Sequence, residues 1–207
     1  VVIPFKGGEH KSRLAAAMSL RQRRSISYLM LEAVLGAVAG AGLRSACVVV
    51  TSDRPAMGLA RRFGASLARE PGNRGVNAAV ELGVLKRPSR KVLVLPGDLP
   101  LLAATDIRVA LQLGRSAGVV LAPSRGFDGT NLLLFPGRGG FAMSYDSDSF
   151  WNHLEEAARR GYRVAVCTRR GLMVDVDTVD DLGMVASAGG GGPVAEMARM
   201  VVGGRAY

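Results

Sequence analysis

Short apolar runs recur along the chain, with helix-period segments between the early ones. "VVIPF", "ACVVVTS", "KVLVLPG", "AGVVLAP", "NLLLFP", "YRVAVCT" and "LMVDVD" are β-branched or Leu-rich and end in turn residues. Their apolar residues are consecutive rather than alternating, as expected of strands buried on both faces of a parallel sheet. The intervening segments have helical spacing. Ser19-Leu20-Arg21-Gln22 has the form of a capping box. Ile26, Leu29, Met30, Ala33, Val34, Ala37 and Val38 then keep a 3.6-residue period up to Gly40–Gly42. Arg54–Phe63, Gly75–Leu85 and Thr105–Leu113 read as further helices. The order β-α-β-α-(β)-α-β-α-β is followed by a strand-rich part from Asp128 to Pro136, a helix at about Asp148–Arg160 and two more strands. It predicts a doubly wound α/β three-layer sandwich around a mostly parallel central sheet. Ligands in such a fold bind beyond the carboxyl ends of the strands, so the residues that end strands are the candidates for function.

The 207 residues suit one domain, and 48% hydrophobic content is enough for a full core. One main folded unit is expected over 1–183. A Gly-rich joint and helical appendage follow over 184–207, with Val194, Met197 and Val201 along one side of the helix. That helix could dock on its own domain or on a second subunit, forming a homodimer. No apolar run reaches the ~18–20 residues of a membrane span. "VVIPFK" turns charged too early for a signal peptide, and Cys47 and Cys167 sit in apolar runs like buried reduced thiols. A cytoplasmic protein without a membrane partner is expected. The net charge of +10 attracts polyanions. The basic residues are scattered pairs, and no basic tract is interleaved with aromatics, so nucleic acid is not expected as a partner.

Four stretches carry candidate chemistry. "FKGGEHKSRL" leaves the first strand. It lacks the G-x-x-x-x-G-K-[ST] spacing of a P-loop. It keeps the elements of an anion site, a glycine turn with Lys6, Lys11 and Arg13 converging, although an ordinary charged turn would look similar. In "VLVLPGDLPLL", Asp98 would sit at the carboxyl edge of a central strand, either for a hard cation or as the cap of the helix near Thr105. In "LMVDVDTVDDL", Asp175 and Asp177 share one face of an extended run, while Asp180 and Asp181 suit the first turn of a helix. In "FDGTNLLLF" and "SYDSDSFWNH", Thr130 and Asn131 begin a strand, and Ser147, Asp148 and Ser149 could open a helix that holds an anion at its N-terminus. A Ser149–His153 nucleophile lacks an orienting third group, so His153 reads as a helix-surface or anion contact. His10 is a weak signal.

In this order, "IPFK", "KSRL", "GVNAA", "VLVLPGDLPLL", "GTNLLL", "DSFWNH" and "VDVDTVDDL" resemble the 2-phospho-L-lactate guanylyltransferases of coenzyme F420 biosynthesis. That family has the molybdenum-cofactor and nucleotide-diphospho-sugar transferase type of nucleotidyltransferase fold. The resemblance implies transfer of GMP from GTP to 2-phospho-L-lactate, phosphoenolpyruvate or 3-phosphoglycerate, with release of pyrophosphate. It implies that Lys6, Lys11 and Arg13 hold the triphosphate, and that Gly75 and Asn77 line the guanine end. It further implies magnesium on Asp98 with Asp175 or Asp177, and the acid on Thr130, Asp146 and Ser149. Asp146 stands where many members carry Gly, and Val179 replaces the usual Pro. Alternatives are a related nucleotidyltransferase using CTP with a molybdopterin or sugar phosphate, and a non-catalytic basic nucleic-acid-binding protein on the same fold.

Overall fold

The structure is a computed structural model that describes residues 1–7, 11–70, 72, 74–189 and 191–204. Its sheet contains β1 (Val2–Pro4), β2 (Val48–Val50), β3 (Ser66–Ala68), β4 (Lys91–Val94), β5 (Val119–Pro123), β6 (Thr130–Pro136) and β7 (Val164–Val166). The strand order is β3-β2-β1-β4-β6-β5-β7. β6 runs antiparallel to both β4 and β5, and the remaining pairs are parallel.

The helices are α1 (Leu20–Gly40), α2 (Arg54–Arg62), α3 (Val76–Lys86), α4 (Ala104–Ser116), α5 (Ser149–Arg159), α6 (Arg170–Met173), α7 (Val179–Ser187) and α8 (Pro193–Gly203). Ser19 caps α1: its hydroxyl accepts from the Gln22 N–H, and the Gln22 side chain accepts from the Ser19 N–H, closing the expected box. Both sheet faces are covered because adjacent strand residues point opposite ways. Ile3, Val49, Leu93 and Leu132 pack with Leu31 and Val34 of α1 and Ile107 of α4. Val2, Val48, Val92 and Leu133 pack with Val80 of α3 and Phe150 and Ala157 of α5. Each fully buried side chain of this kind contributes roughly 1.5–3 kcal/mol relative to leaving it in water.

Two features depart from the sequence expectation or settle it. "LMVDVD" forms no strand. Its start is the single turn of α6, and Val174 and Val176 follow without a sheet partner. The alternation is real but serves a different purpose. Val174 and Val176 sink into a third cluster with Ile26 and Met30 of α1 and Leu182 of α7, which leaves Asp175 and Asp177 on the other side. The C-terminal helix docks on its own chain: Val194, Ala198 and Val201 of α8 join that same cluster, against α7 and α1. α7 itself runs through position 183 without a break.

β6 also carries an irregularity that matters for the site. Ala122 of β5 stands opposite Leu132, but Pro123 stands opposite Thr130, so Asn131 is an extra residue in β6. Such a bulge breaks the up-down alternation. Leu132 and Leu134 face the α1/α4 layer, and Thr130 by simple alternation would face it too. Instead its hydroxyl meets a side chain of α5, on the opposite layer.

Candidate active site

The chain leaves β1 toward β2 on one side and later returns to β4 on the other. The β1 and β4 ends therefore flank the switch point of the sheet, where a crevice forms in doubly wound folds. A cavity of about 220 Å3 lies there, lined by Lys6, Gly7, Lys11, Gly97, Asp98 and Asp177 among others. Gly7 is required by the turn: its φ is +84°, and a Cβ would lie 2.8 Å from Asp53 Oδ2. His10 lies outside the described residues.

Lys11 is the hinge of the charged end. Its Nζ donates to Asp98 Oδ2 at 2.9 Å and to Asp177 Oδ1 at 2.8 Å, and its side chain is only 11% exposed. Burial pushes the ammonium pKa down, but the Asp98 and Asp177 charges outweigh it and hold it above the ordinary lysine value. Lys11 thus contacts two of the three carboxylates, Asp98, Asp175 and Asp177, among which the resemblance places a metal. The two aspartate segments are also tied by backbone, Val176 N–H donating to the Asp98 carbonyl at 3.3 Å. Asp98 does not cap α4. That end is closed by Asp106 Oδ2, which accepts from the Ala103 N–H at 3.1 Å. The sequence left both roles open for Asp98, and the cap is excluded.

Asp175 Oδ1 accepts from Asn131 Nδ2 at 3.0 Å. Its carboxyl is raised to about 6 by burial and by the Asp98 charge, partly offset by that hydrogen bond. Asp98 Oδ1 is buried with no hydrogen-bond partner among the described residues. No three His, Cys, Asp or Glu side chains among the described residues gather closely enough to hold a metal by themselves. Asp180 and Asp181 occupy the first turn of α7 as expected, and Asp181 closes a capping box with Thr178.

Arg13 stands on a short 3-10 turn, Ser12–Leu14, and is exposed. Unlike Lys6 and Lys11, it does not line the cleft cavity. The Ser124 hydroxyl chiefly, and the Arg13 charge in smallest part, hold the Asp128 carboxyl below its usual range. Gly75, with φ +96°, is the N-cap of α3. Asn77, expected at the guanine end, also reaches across the cleft. Its Oδ1 accepts from the Tyr145 N–H at 2.8 Å and its Nδ2 donates to Asp146 Oδ2 at 3.2 Å. The structure therefore brings Asn77 and Asp146 together.

The opposite end is built from β6, α5 and the arm over 137–148. His153 is fully buried, which corrects its expected place on a helix surface or against an anion. Its partner is Thr130, whose Oγ1 lies 3.0 Å from Nδ1, and Ser149 does not contact it by hydrogen bond. The Ser144 N–H donates to the His153 Nε2 at 3.0 Å, and Tyr145 stacks edge-on at 4.7 Å. Further along, Glu156 Oε1 accepts from the Ala142 N–H at 3.0 Å and pairs with Arg159 and Arg160. Ser149 is 3% exposed at the start of α5. The two non-glycine residues with positive φ among the described residues, Phe127 (60°) and Asp148 (54°), flank this end. Such strain clusters at functional sites.

The sequence reading missed Asn131 and the partner of His153. The signal was present in part: an amide and a hydroxyl at the start of an apolar strand, and a histidine on the buried stripe Phe150-His153-Ala157.

The fold and the acidic and basic cleft at its switch point are those of a nucleotidyltransferase. A nucleotidyl transferase from Methanothermobacter thermautotrophicus superposes with a TM-score of 0.67 at 16% identity, over 90% of this chain and 95% of that one, a likeness of fold alone. The chain belongs to the family of CofC-like guanylyl transferases, which matches residues 1–201. The phosphoenolpyruvate guanylyltransferase of Rubrobacter xylanophilus is 38% identical over 184 residues, 87% of this chain and 89% of the relative. The 3-phospho-D-glycerate guanylyltransferase of Phenylobacterium zucineum is 35% identical over 204 residues, 95% and 93% of the two chains. Among the described residues, no helix is long and apolar enough to cross a membrane.

Proposed function

We propose that this chain transfers GMP from GTP to the phosphate of a phosphorylated three-carbon acid, in the cytoplasm. 2-Phospho-L-lactate, phosphoenolpyruvate and 3-phosphoglycerate are the candidate acids. The observation that carries this reading is the cluster of Lys11, Asp98 and Asp177 at the switch point, in a chain whose relatives are named for that transfer to different acids.

In the proposed reaction, a phosphate oxygen of the acid bonds to the α-phosphorus of GTP. The bond from that phosphorus to the bridging oxygen breaks, and pyrophosphate leaves with the electron pair. The attacking phosphate has a second pKa near 6, so it is already mostly dianionic at neutral pH and needs no strong base. That suits a cleft whose described histidine is buried and engaged. The obstacle is the approach of two polyanions. Lys6, Lys11 and Arg13 would take the triphosphate, and Gly75 and Asn77 the guanine end. Thr130, Asp146 and Ser149 would face the acid.

The residues present fit a divalent cation: among the described residues the buried Asp98 Oδ1 lacks a partner, and the negative charges of Asp98 and Asp177 act on the Asp175 carboxyl. Asp98, with Asp175 or Asp177, would hold magnesium, whose charge would neutralise phosphate oxygens. Lys11 would then leave its two carboxylates for the phosphates.

The test is pyrophosphate release from GTP, CTP and ATP with each of the three acids, with and without a chelator. The expected result is release from GTP with at least one acid, abolished by the chelator. Release from CTP alone, or from no pair, refutes the proposal.

A further inference from the structure

We infer that His153 is a positioning residue that fixes the Thr130 hydroxyl as a hydrogen-bond donor aimed at an anionic oxygen of the acid. The assignment rests on the acid-facing role of Thr130 proposed above.

The hydrogen bonds dictate the tautomer. A backbone N–H can only donate, so His153 Nε2, receiving the Ser144 N–H at 3.0 Å, carries no proton. The ring is then neutral, with its proton on Nδ1, and Nδ1 donates to Thr130 Oγ1 at 3.0 Å. Burial favours the same neutral form and lowers the ring pKa to about 4, against a weaker opposite pull from Glu156. Phe141 and Tyr145 pack on the ring, with centroids at 6.2 and 4.7 Å, and hold its plane.

A threonine hydroxyl can otherwise turn to donate or accept. Here its oxygen already accepts from the ring, and among the described residues it makes no other hydrogen bond. Thr130 is buried, so its proton is left without a protein acceptor among the described residues and free for a ligand oxygen that reaches it. A locked donor favours a charged oxygen, because such bonds are about twice as strong as neutral ones. The bulge at Asn131 brings Thr130 onto the layer where His153 sits. The Ser144 bond makes the same ring depend on the arm over 137–148, which also carries Asp146. Thus one buried imidazole sets both the hydroxyl's polarity and the arm's placement.

Steady-state kinetics on a double-mutant cycle test this. His153→Asn keeps a donor near the Nδ1 position. His153→Gln keeps an acceptor near Nε2 and loses the donor. Expected is a rise of about tenfold in the acid KM for Thr130→Val and for His153→Gln, with GTP KM unchanged and His153→Asn closer to the parent. In the Thr130→Val background, His153→Gln should add nothing.

If Thr130→Val raises the acid KM but the two changes multiply, or if Asn and Gln behave alike, the positioning role is refuted and Thr130's acid contact stands. If Thr130→Val leaves the acid KM unchanged, the acid-facing role falls, and this inference with it. Nitrogen-15 NMR of the parent protein keeps the question open to refutation should a variant not fold. The chain has two histidines, and His153 should show a protonated Nδ1 and a bare Nε2. The reverse tautomer overturns the inference.

Discussion

At the β1/β4 end of the cleft, the Lys11 ammonium is held between two carboxylates, contacts between formal charges. At the β6/α5 end, Thr130, His153 and the Ser144 backbone touch through neutral hydrogen bonds, none of them in the open. The first arrangement can exchange partners. On the proposed reaction an ammonium and a divalent cation would each be acceptable to Asp98 and Asp177, so the same carboxylates would suit two states of the cycle. The second cannot exchange without leaving a buried donor or acceptor empty, which costs about 1–3 kcal/mol. On the proposed function, charge would serve the end where polyanions come and go, and fixed neutral polarity the end that would face the acid.

The sharpest way to break that contrast is Asp98→Asn. It should lower GMP transfer by about a thousandfold or more while circular dichroism shows an intact fold. Retained activity with unchanged magnesium dependence would remove the charged end from the chemistry.

Lys11→Ala comes next. It leaves two carboxylates without their shared cation and should destabilise the metal-free protein by about 1–2 kcal/mol, since Asp177 is partly exposed. Thermal melts should show magnesium stabilising the variant more than the parent. Equal responses would mean the lysine and the cation do not share these oxygens.

Asp175→Asn tests the same end by pH. The folded carboxyl, raised to about 6, binds its proton more tightly than the unfolded one. Stability from this group is thus full at low pH and is lost as pH rises from about 4 through 6. The variant should melt above the parent at pH 7 and level with it at pH 4, while losing transfer activity.

Glu156→Gln gives the smallest effect and sharpens the neutral end, since this glutamate braces the arm from behind. Its carboxyl is lowered to about 2, by the Ala142 N–H first, and by Arg160 and Arg159. It stabilises above the unfolded pKa and loses that as pH falls toward 2. The variant should be less stable at pH 7, with the gap closing between about pH 4.5 and 2 in urea titrations. Its acid KM should rise by only about twofold to threefold, because the Ser144 and Tyr145 anchors remain.

Legibility followed the same division. Lys11, Asp98 and Asp177 are legible in the sequence because charged residues in the loops that follow apolar runs have few structural uses. β2, β4 and β5 were plain from unbroken runs of Val and Leu. β3 was weak, because Ser66–Ala68 is three residues at a sheet edge. "LMVDVD" misled because a period of two describes any extended segment with one dry side, paired or not. His153 and Asn131 were opaque in role because their partners lie 23 and 44 positions away. Nothing local to "SFWNH" says that a threonine will be turned to meet it, and the register slip that turns it leaves no compositional mark.

That extra residue in β6 has a wider consequence. Deleting Asn131 would restore the strand's phase and swing position 130 toward the α1/α4 side, stranding the imidazole, and would also remove the amide that holds Asp175. A change at this one point would therefore be felt at both ends of the crevice, at the hydroxyl that meets His153 and at the carboxylate beside Asp98.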